Sequence, residues 1–129
     1  DWPRVDAMMQ AMETAGRDAL ARHGERAHAY THLSHVYPQG SSVYTTFVYR
    51  IGADYDAGLA RWRALKQAVG DAIAANGGTL SHQHGVGKDH ARWLAAEKGA
   101  VGIAALAALV RHVDPHGVMA RGNLLGDIE

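Results

Sequence analysis

The sequence predicts an α+β fold, a ferredoxin-like arrangement in which an antiparallel sheet carries helices on one face and a helical segment follows. Two observations predict it. The first is the order of the patterns: a helical repeat, two alternating segments joined by a turn, a second helical repeat, a short strand and further helices. The second is that each pattern has one apolar side, so that sheet and helices can cover each other.

Two amphipathic helices enclose the predicted hairpin. Residues 3–23 repeat apolar side chains at helical spacing, with Pro3 suited to the first turn and Gly24 to the end. Residues 56–75 form the second helix, and Asp54 or Asp56 can cap its start. The apolar stripe of this second helix contains Leu59, Trp62, Leu65, Val69, Ala72 and Ile73.

Residues 27–37 and 41–50 alternate as two strands around a turn at Pro38, Gln39 and Gly40. One face of the second strand is bulky and is expected to pack on the helices: Val43, Thr45, Phe47 and Tyr49. The other face is mixed and suits a cavity wall: Ser42, Tyr44, Thr46, Val48 and Arg50.

The same hairpin makes a prediction about pairing. A tight turn places Ser34 opposite Tyr44 and His32 opposite Thr46. A slip of one residue would change that pairing, because strand side chains alternate between faces.

Two histidines follow the second helix. Residues 79–82 are predicted as a short strand, which would point His82 and His84 to the same side. Gly85 would let the backbone bend and approach a flat ligand. The alternatives are histidines that cap a loop, or half of a metal site, for which no third ligand of convincing spacing occurs.

The glycine turn that ends in Lys88 is not a phosphate-binding loop, because Asp89 stands where serine or threonine is needed. Lys88 faces either solvent or an anionic substrate. Residues 88–97 and 99–113 are predicted as helices. The second of these is apolar on most sides, so it should be well buried or packed against a partner surface.

Composition narrows the class of protein. The chain has 129 residues, a formal net charge of zero and no cysteine. A net charge of zero does not favour binding to nucleic acid or to an acidic membrane. The lack of cysteine excludes a disulfide framework, a zinc–thiolate site and a thiol nucleophile within the chain, and it fits a cytoplasmic protein. No apolar run in the sequence approaches the ~20 residues of a spanning helix.

Four segments together resemble one family, and they occur in that family's order. They are residues 34–44, 77–88, 114–119 and 121–125. The chain is similar to the C-terminal cap region of FAD-linked oxidases of the vanillyl-alcohol-oxidase superfamily, most closely the alkylglycerone-phosphate synthases. The resemblance implies FAD, bound mainly by an upstream half that this chain lacks.

The resemblance also implies the domain organisation. Residues 1–113 would belong to the cap, or substrate, domain, and residues 114–129 would form a tail that returns to the FAD domain. A strand expected before Asp1 is missing from the chain. One sheet edge is therefore expected to be unpaired and available to a second copy in a homodimer.

Site residues follow from the resemblance. Tyr44 would be the acid/base at the substrate; the alternative is a strand tyrosine that packs its ring and exposes its hydroxyl group. His82 and His84 would position the substrate and stabilise charge. The cofactor-binding residues would be His84, Gly85 and Asn123, and the substrate-binding residues Gln83, Lys88 and Arg50. We expect Tyr44 and the two histidines to surround one pocket.

In the synthases, an acyl-glycerone phosphate exchanges its fatty acid for a fatty alcohol, an ether-lipid reaction that leaves the flavin unchanged. Those enzymes carry three successive histidines, whereas Gln83 is the middle residue here. Glutamine forms hydrogen bonds but cannot become cationic. The alternatives are an FAD-linked oxidase or dehydrogenase of a 2-hydroxy acid or alcohol, and a binding module without catalysis.

Overall fold

The computed structural model describes residues 1–81 and 83–125 of the chain. It divides into two compact units, Asp1–Gly78 and Thr79–Glu129, which are described one at a time. The predicted assignment of residues 1–113 to a cap domain and 114–129 to a tail stays a prediction.

Within the described residues, the first unit contains a short 3-10 helix (Trp2–Arg4), two α-helices and a hairpin, and the second contains one α-helix with a kink. Within the described residues the strands form a two-stranded antiparallel sheet, which confirms the α+β class. The elements, in chain order, are α1 (Val5–Ala21), β1 (His28–Tyr37), β2 (Gly40–Val48), α2 (Tyr55–Ala75) and α3 (Ala91–Val113).

Helix α1 packs on the hairpin and also contacts α2. Its buried side follows the predicted apolar repeat and contains Val5, Met12, Ala19 and Leu20. Gly16 marks the closest approach of the three elements. A Cβ atom added there would clash with the Phe47 ring of β2 and would lie 3.0 Å from Leu65 Cδ1 of α2. The small residue is therefore a packing requirement, although glycine costs helix stability.

The predicted faces of β2 are confirmed by contacts with α1. Thr45 Oγ1 lies 3.8 Å from Met12 Sδ, and the Phe47 ring lies against Gly16. On the opposite face, Tyr44 and Val48 are exposed.

The predicted pairing of the strands is wrong by two residues. Tyr37 pairs with Gly40, so the turn has two residues rather than the predicted three, and this accounts for one residue of the difference. A β-bulge between Leu33 and His35 accounts for the other, so that His32 lies opposite Tyr44. A shift of two preserves the face of each side chain, which is why the predicted faces hold.

Helix α2 begins with a side-chain cap. The Asp54 carboxylate accepts a hydrogen bond from the backbone N–H of Ala57 at 2.8 Å, as predicted for one of the two candidate caps. At the other end, Asn76 Nδ2 donates to the carbonyl of Ala72 at 2.8 Å. Both ends of the helix therefore agree closely with the predicted range of 56–75.

The second unit differs from prediction at its start. Residues 79–81 do not form the expected short strand, and His82 lies outside the described residues. Helix α3 contains both predicted helices, and Gly99, in a non-helical conformation (φ 68°, ψ 172°), separates them close to the predicted boundary. Only glycine adopts this conformation readily, so Gly99 places a kink in the helix.

Helix α3 is far more exposed than predicted. Trp93 and Leu94 are its buried residues, whereas Val101 is 84% exposed. The expectation of burial within this chain is therefore wrong, and packing on a partner surface stays a prediction. Among the described residues, α3 is the one helix whose length and apolar composition would allow it to cross a membrane. The kink at Gly99 leaves residues 100–113 as the longer straight piece, about 20 Å against the ~30 Å of a bilayer core.

Candidate functional site

Tyr44 lies on the face of the hairpin that α1 does not cover. Its side chain is 49% exposed, in the middle of β2. The His32 ring lies across from it, with ring centroids 5.1 Å apart and the planes inclined by 31°. The predicted acid/base residue is thus accessible from solvent and has an imidazole neighbour.

The open face of the hairpin is rich in aromatic rings. His28 and Tyr30 form a second ring contact on β1, with centroids 5.5 Å apart. Residues 28–48 contain no aspartate or glutamate. A face with imidazoles and phenols but no carboxylate suits an anionic or polar substrate, because imidazole N–H and phenol O–H groups donate hydrogen bonds.

The covered face holds a partly buried polar contact. The Thr31 hydroxyl donates to Glu13 Oε1 at 2.7 Å, and Arg17 Nη2 lies 2.7 Å from Glu13 Oε2. These bonds, with the Thr31 hydroxyl contributing most, hold the pKa of Glu13 below its ordinary value. The carboxylate therefore connects α1 to β1 beneath the open face.

Arg50, a predicted substrate-binding residue, contacts a buried carboxylate. Its Nε and Nη2 atoms lie 3.3 and 3.2 Å from Glu25 Oε1, and Arg61 Nη1 lies 3.3 Å from Glu25 Oε2. The pKa of Glu25 is held below its ordinary value. The hydrogen bond from the backbone N–H of Arg26 contributes most and the two guanidinium groups contribute less, while desolvation opposes them. The Arg50 side chain is nevertheless 85% exposed.

Ser81 and the residues from Gln83 to Lys88 belong to the second unit. The Ser81 hydroxyl donates to the carbonyl of Gly85 at 2.8 Å. Gln83 Nε2 and His84 Nε2 are 3.3 Å apart, and both side chains are exposed. The expectation that His82 and His84 point the same way concerns one residue outside the described part, so it stays a prediction.

The C-terminal segment returns to the glycine turn that ends in Lys88. The backbone N–H of Leu124 donates to the carbonyl of Gly87 at 3.2 Å. Asn123 Oδ1 lies 3.9 Å from the position that a Cβ atom on Gly87 would occupy. The structure therefore brings the predicted Asn123 beside the glycine turn that follows His84.

Asp114 organises the chain between α3 and Asn123. One carboxylate oxygen accepts from the backbone N–H of Val118 at 2.9 Å, and the other accepts from Met119 and Ala120 at 2.8 Å each. These bonds, with that of Ala120 contributing most, hold the pKa of Asp114 below its ordinary value against desolvation. The segment that resembles the family's C-terminal signature is thus folded around one side chain.

The glycine turn at Gly85 has a backbone conformation and exposed polar groups that suit contact with the edge of a flat cofactor. Gly85 has a φ of 81°, and no heavy atom of the residues that the structure describes lies within 4 Å of the position where its Cβ would be. Backbone can approach a ligand closely at such a residue. Amide and imidazole hydrogen-bonding groups of Gln83, His84 and Asn123 are exposed nearby in the same unit. Among residues 1–81 and 83–125, no group of three or more histidine and acidic side chains is placed to hold a metal.

His32 is the neighbour of Tyr44 that sequence reasoning missed. A signal for it exists in the apolar pattern of β1, where Ala29, Thr31 and Leu33 keep one phase and Val36 breaks it. A break of one residue in such an alternation indicates a bulge, which changes the partner of every residue beyond it.

Comparisons with known proteins show the family of the chain. Residues 1–124 match the family described as FAD linked oxidases, C-terminal domain. Alkyldihydroxyacetonephosphate synthase of Caenorhabditis elegans is 38% identical over 93 residues, which are 72% of this chain and 15% of that protein. The synthase of Trypanosoma brucei brucei is 27% identical over 117 residues, 90% of this chain and 19% of that protein.

A third relative has a different name. "Uncharacterized FAD-linked oxidoreductase YgcU" of Escherichia coli O157:H7 is 27% identical over 95 residues, 72% of this chain and 19% of that protein. The chain thus spans less than a fifth of the length of each of these three relatives. The family match over nearly the whole chain decides its membership. The chain belongs to the FAD-linked oxidases, as part of their C-terminal domain.

Proposed function

We propose that the complete protein carrying this chain is an FAD-dependent enzyme that acts as an alkylglycerone-phosphate synthase. It would replace the fatty acid of an acyl-glycerone phosphate by a fatty alcohol in ether-lipid synthesis. The relatives from Caenorhabditis elegans and Trypanosoma brucei brucei, both named alkyldihydroxyacetonephosphate synthase, support this reaction. The observation that carries the proposal is Tyr44, half exposed on an open face that has imidazoles and no carboxylate.

In this proposal Tyr44 moves the proton at the substrate. A phenol acts as a base only where cationic or hydrogen-bonding groups surround it, and Arg50, which the alternation of residues 41–50 assigns to the same face, would be such a group. His82 and His84 stabilise negative charge on the substrate, and Gln83 and Lys88 bind its polar groups. Arg50 would contact the substrate with the guanidinium nitrogen that Glu25 does not engage.

FAD, when bound, supplies the electron-accepting chemistry of the family, and the protein supplies orientation and electrostatics. In this chain His84, Gly85 and Asn123 are the residues we propose beside the cofactor. Exposed polar groups and an open glycine in one turn support that assignment. We further propose a cytoplasmic protein and a homodimer that forms through the unpaired edge of the sheet.

A second reaction has its own support. Gln83 removes one imidazole from the histidine segment, and one relative is named an FAD-linked oxidoreductase. The complete protein would then oxidise a 2-hydroxy acid or an alcohol. A third possibility, a module without catalysis, predicts that the complete protein takes up no FAD.

One experiment separates these functions. The complete protein is purified, tested for a flavin spectrum and incubated with acyl-glycerone phosphate and a labelled fatty alcohol. Labelled ether product without net flavin reduction supports the synthase. Anaerobic bleaching by a 2-hydroxy acid or alcohol, restored by oxygen, supports the oxidase.

The tyrosine is tested in the same assay. We expect Tyr44→Phe to lower kcat by about a hundredfold or more, because it removes an acid/base group. Tyr55→Phe is the matched control, since Tyr55 is also exposed but lies at the start of α2. Wild-type kcat in Tyr44→Phe would contradict the proposed role.

A further inference from the structure

The partner of Tyr44 is decided by a single extra residue in β1. From the turn to Ser42 the pairing is regular, with Tyr37 opposite Gly40 and His35 opposite Ser42. If it continued unchanged, Leu33 would lie opposite Tyr44. The bulge at Ser34 places His32 there instead.

Hydrogen bonds hold this bulge. The hydroxyl groups of Ser34 and Ser42 are 2.8 Å apart, and the backbone N–H of His35 donates to Ser42 Oγ at 3.0 Å. The Ser41 hydroxyl donates to the carbonyl of His35 at 2.7 Å. Three serine side chains thus satisfy groups that an irregular ladder leaves without strand partners.

The bulge reconciles the turn with the packing of α1. Beyond it, Thr31 faces α1 and reaches Glu13, while Ala29 is buried. Their neighbours in the strand, His32 and Tyr30, therefore lie on the open face with Tyr44. Without the extra residue, packing on α1 and the tight turn could not both be satisfied in one register.

We propose that His32 is a positioning residue for Tyr44. Its ring contacts the phenol and holds it in place, and the bulge at Ser34 puts the two rings opposite each other. The two centroids are 5.1 Å apart, within the range of favourable aromatic pairs. A half-exposed tyrosine otherwise samples several side-chain orientations. Restricting them keeps the hydroxyl where proton transfer occurs. This inference rests on the proposed role of Tyr44.

The kinetic test uses the complete FAD-containing protein. We expect His32→Ala to lower kcat about five- to tenfold with KM within about twofold, the range that loss of one aromatic contact allows. His32→Phe should restore kcat to within about twofold, because it keeps a ring but no titratable group. His23→Ala is the kinetic control, since His23 is exposed just after α1 and lies outside the hairpin. His28→Ala is the control for the ring contact in spectroscopy, since its ring contacts Tyr30 on the same face.

A spectroscopic test does not depend on activity. With 3-fluorotyrosine at position 44, the fluorine NMR signal should shift in His32→Ala and stay near its original position in His32→Phe and His28→Ala. An unchanged signal in His32→Ala overturns the positioning role. So does a His32→Phe enzyme as slow as His32→Ala, which would assign the effect to imidazole chemistry. If instead Tyr44→Phe is fully active but the fluorine signals behave as expected, the catalytic role fails and the positioning stands.

Discussion

The two units of the chain differ in how they bury apolar surface. In the first, α1 packs on the hairpin and on α2, and six apolar residues are buried: Val5, Met12, Ala19, Leu20, Ala29 and Leu65. In the described part of the second, Trp93 and Leu94 are buried, while most apolar side chains of α3 remain accessible. The first unit therefore has a core of its own, and the second relies more on turns and local hydrogen bonds.

The difference follows from the patterns of the helices. Helices α1 and α2 each have one apolar side, which a hairpin or a neighbouring helix can cover completely. Beyond Gly99, α3 is apolar on several sides, and such a helix needs cover from more than one direction. The relatives are more than five times longer than the aligned part of this chain.

The largest expected contrast comes from one substitution made in both units. Leu20→Ala should cost about 2–5 kcal/mol of unfolding free energy, because Leu20 is 0% exposed. Leu109→Ala should cost less than about 0.5 kcal/mol in the 129-residue chain, because Leu109 is 58% exposed. Urea denaturation followed by circular dichroism measures both. Equal losses would show that the second unit has a core like that of the first.

A smaller effect is expected from the buried carboxylate of the first unit. Glu25→Gln should lower Tm by about 5 °C at pH 7, because it removes the charge that Arg50 and Arg61 contact. Glu97→Gln makes the same chemical change in the second unit, where Glu97 contacts Lys98. It should leave Tm within about 1 °C.

The pH dependence of the Glu25 effect has a definite sign. The folded pKa is below the ordinary value of 4.5, so the stabilisation is present above that pH and is lost as the pH falls through the folded pKa. Thermal melts between pH 7 and pH 3 should therefore show the wild type and Glu25→Gln converging in acid. Parallel curves would contradict the expected role of this charge.

The smallest effect is expected from Asp114 and should be confined to the second unit. In Asp114→Ala the backbone amides of Val118, Met119 and Ala120 lose their acceptor, so their hydrogen exchange should accelerate about tenfold. Amides of α1 should exchange as before. Asp114→Asn retains one acceptor oxygen, so its exchange rates should lie between those of the wild type and Asp114→Ala. Unchanged protection at Val118 would show that other contacts hold this segment.

The hairpin illustrates what sequence reasoning could and could not predict of the site. Alternation along β2 correctly separated Phe47 from Tyr44 between the two faces. It could not predict that His32 lies opposite Tyr44, because pairing depends on the turn length and on the bulge at Ser34. The strand expected at residues 79–82 illustrates the opposite error: a short apolar run predicts a strand only where a neighbouring strand is available to pair with it.

The helices α1 and α2, the two strands and the α+β class were readable from residue order, since periodicity and turn chemistry act over a few neighbouring residues. The family was recognised from the resemblance of four segments to its motifs. Three-dimensional packing decided which ring faces Tyr44 and which cations meet Glu25. Residues 25, 50 and 61 are far apart in the chain, and no local pattern connects them. Such contacts form only where the close approach at Gly16 and the register of the hairpin can be satisfied together.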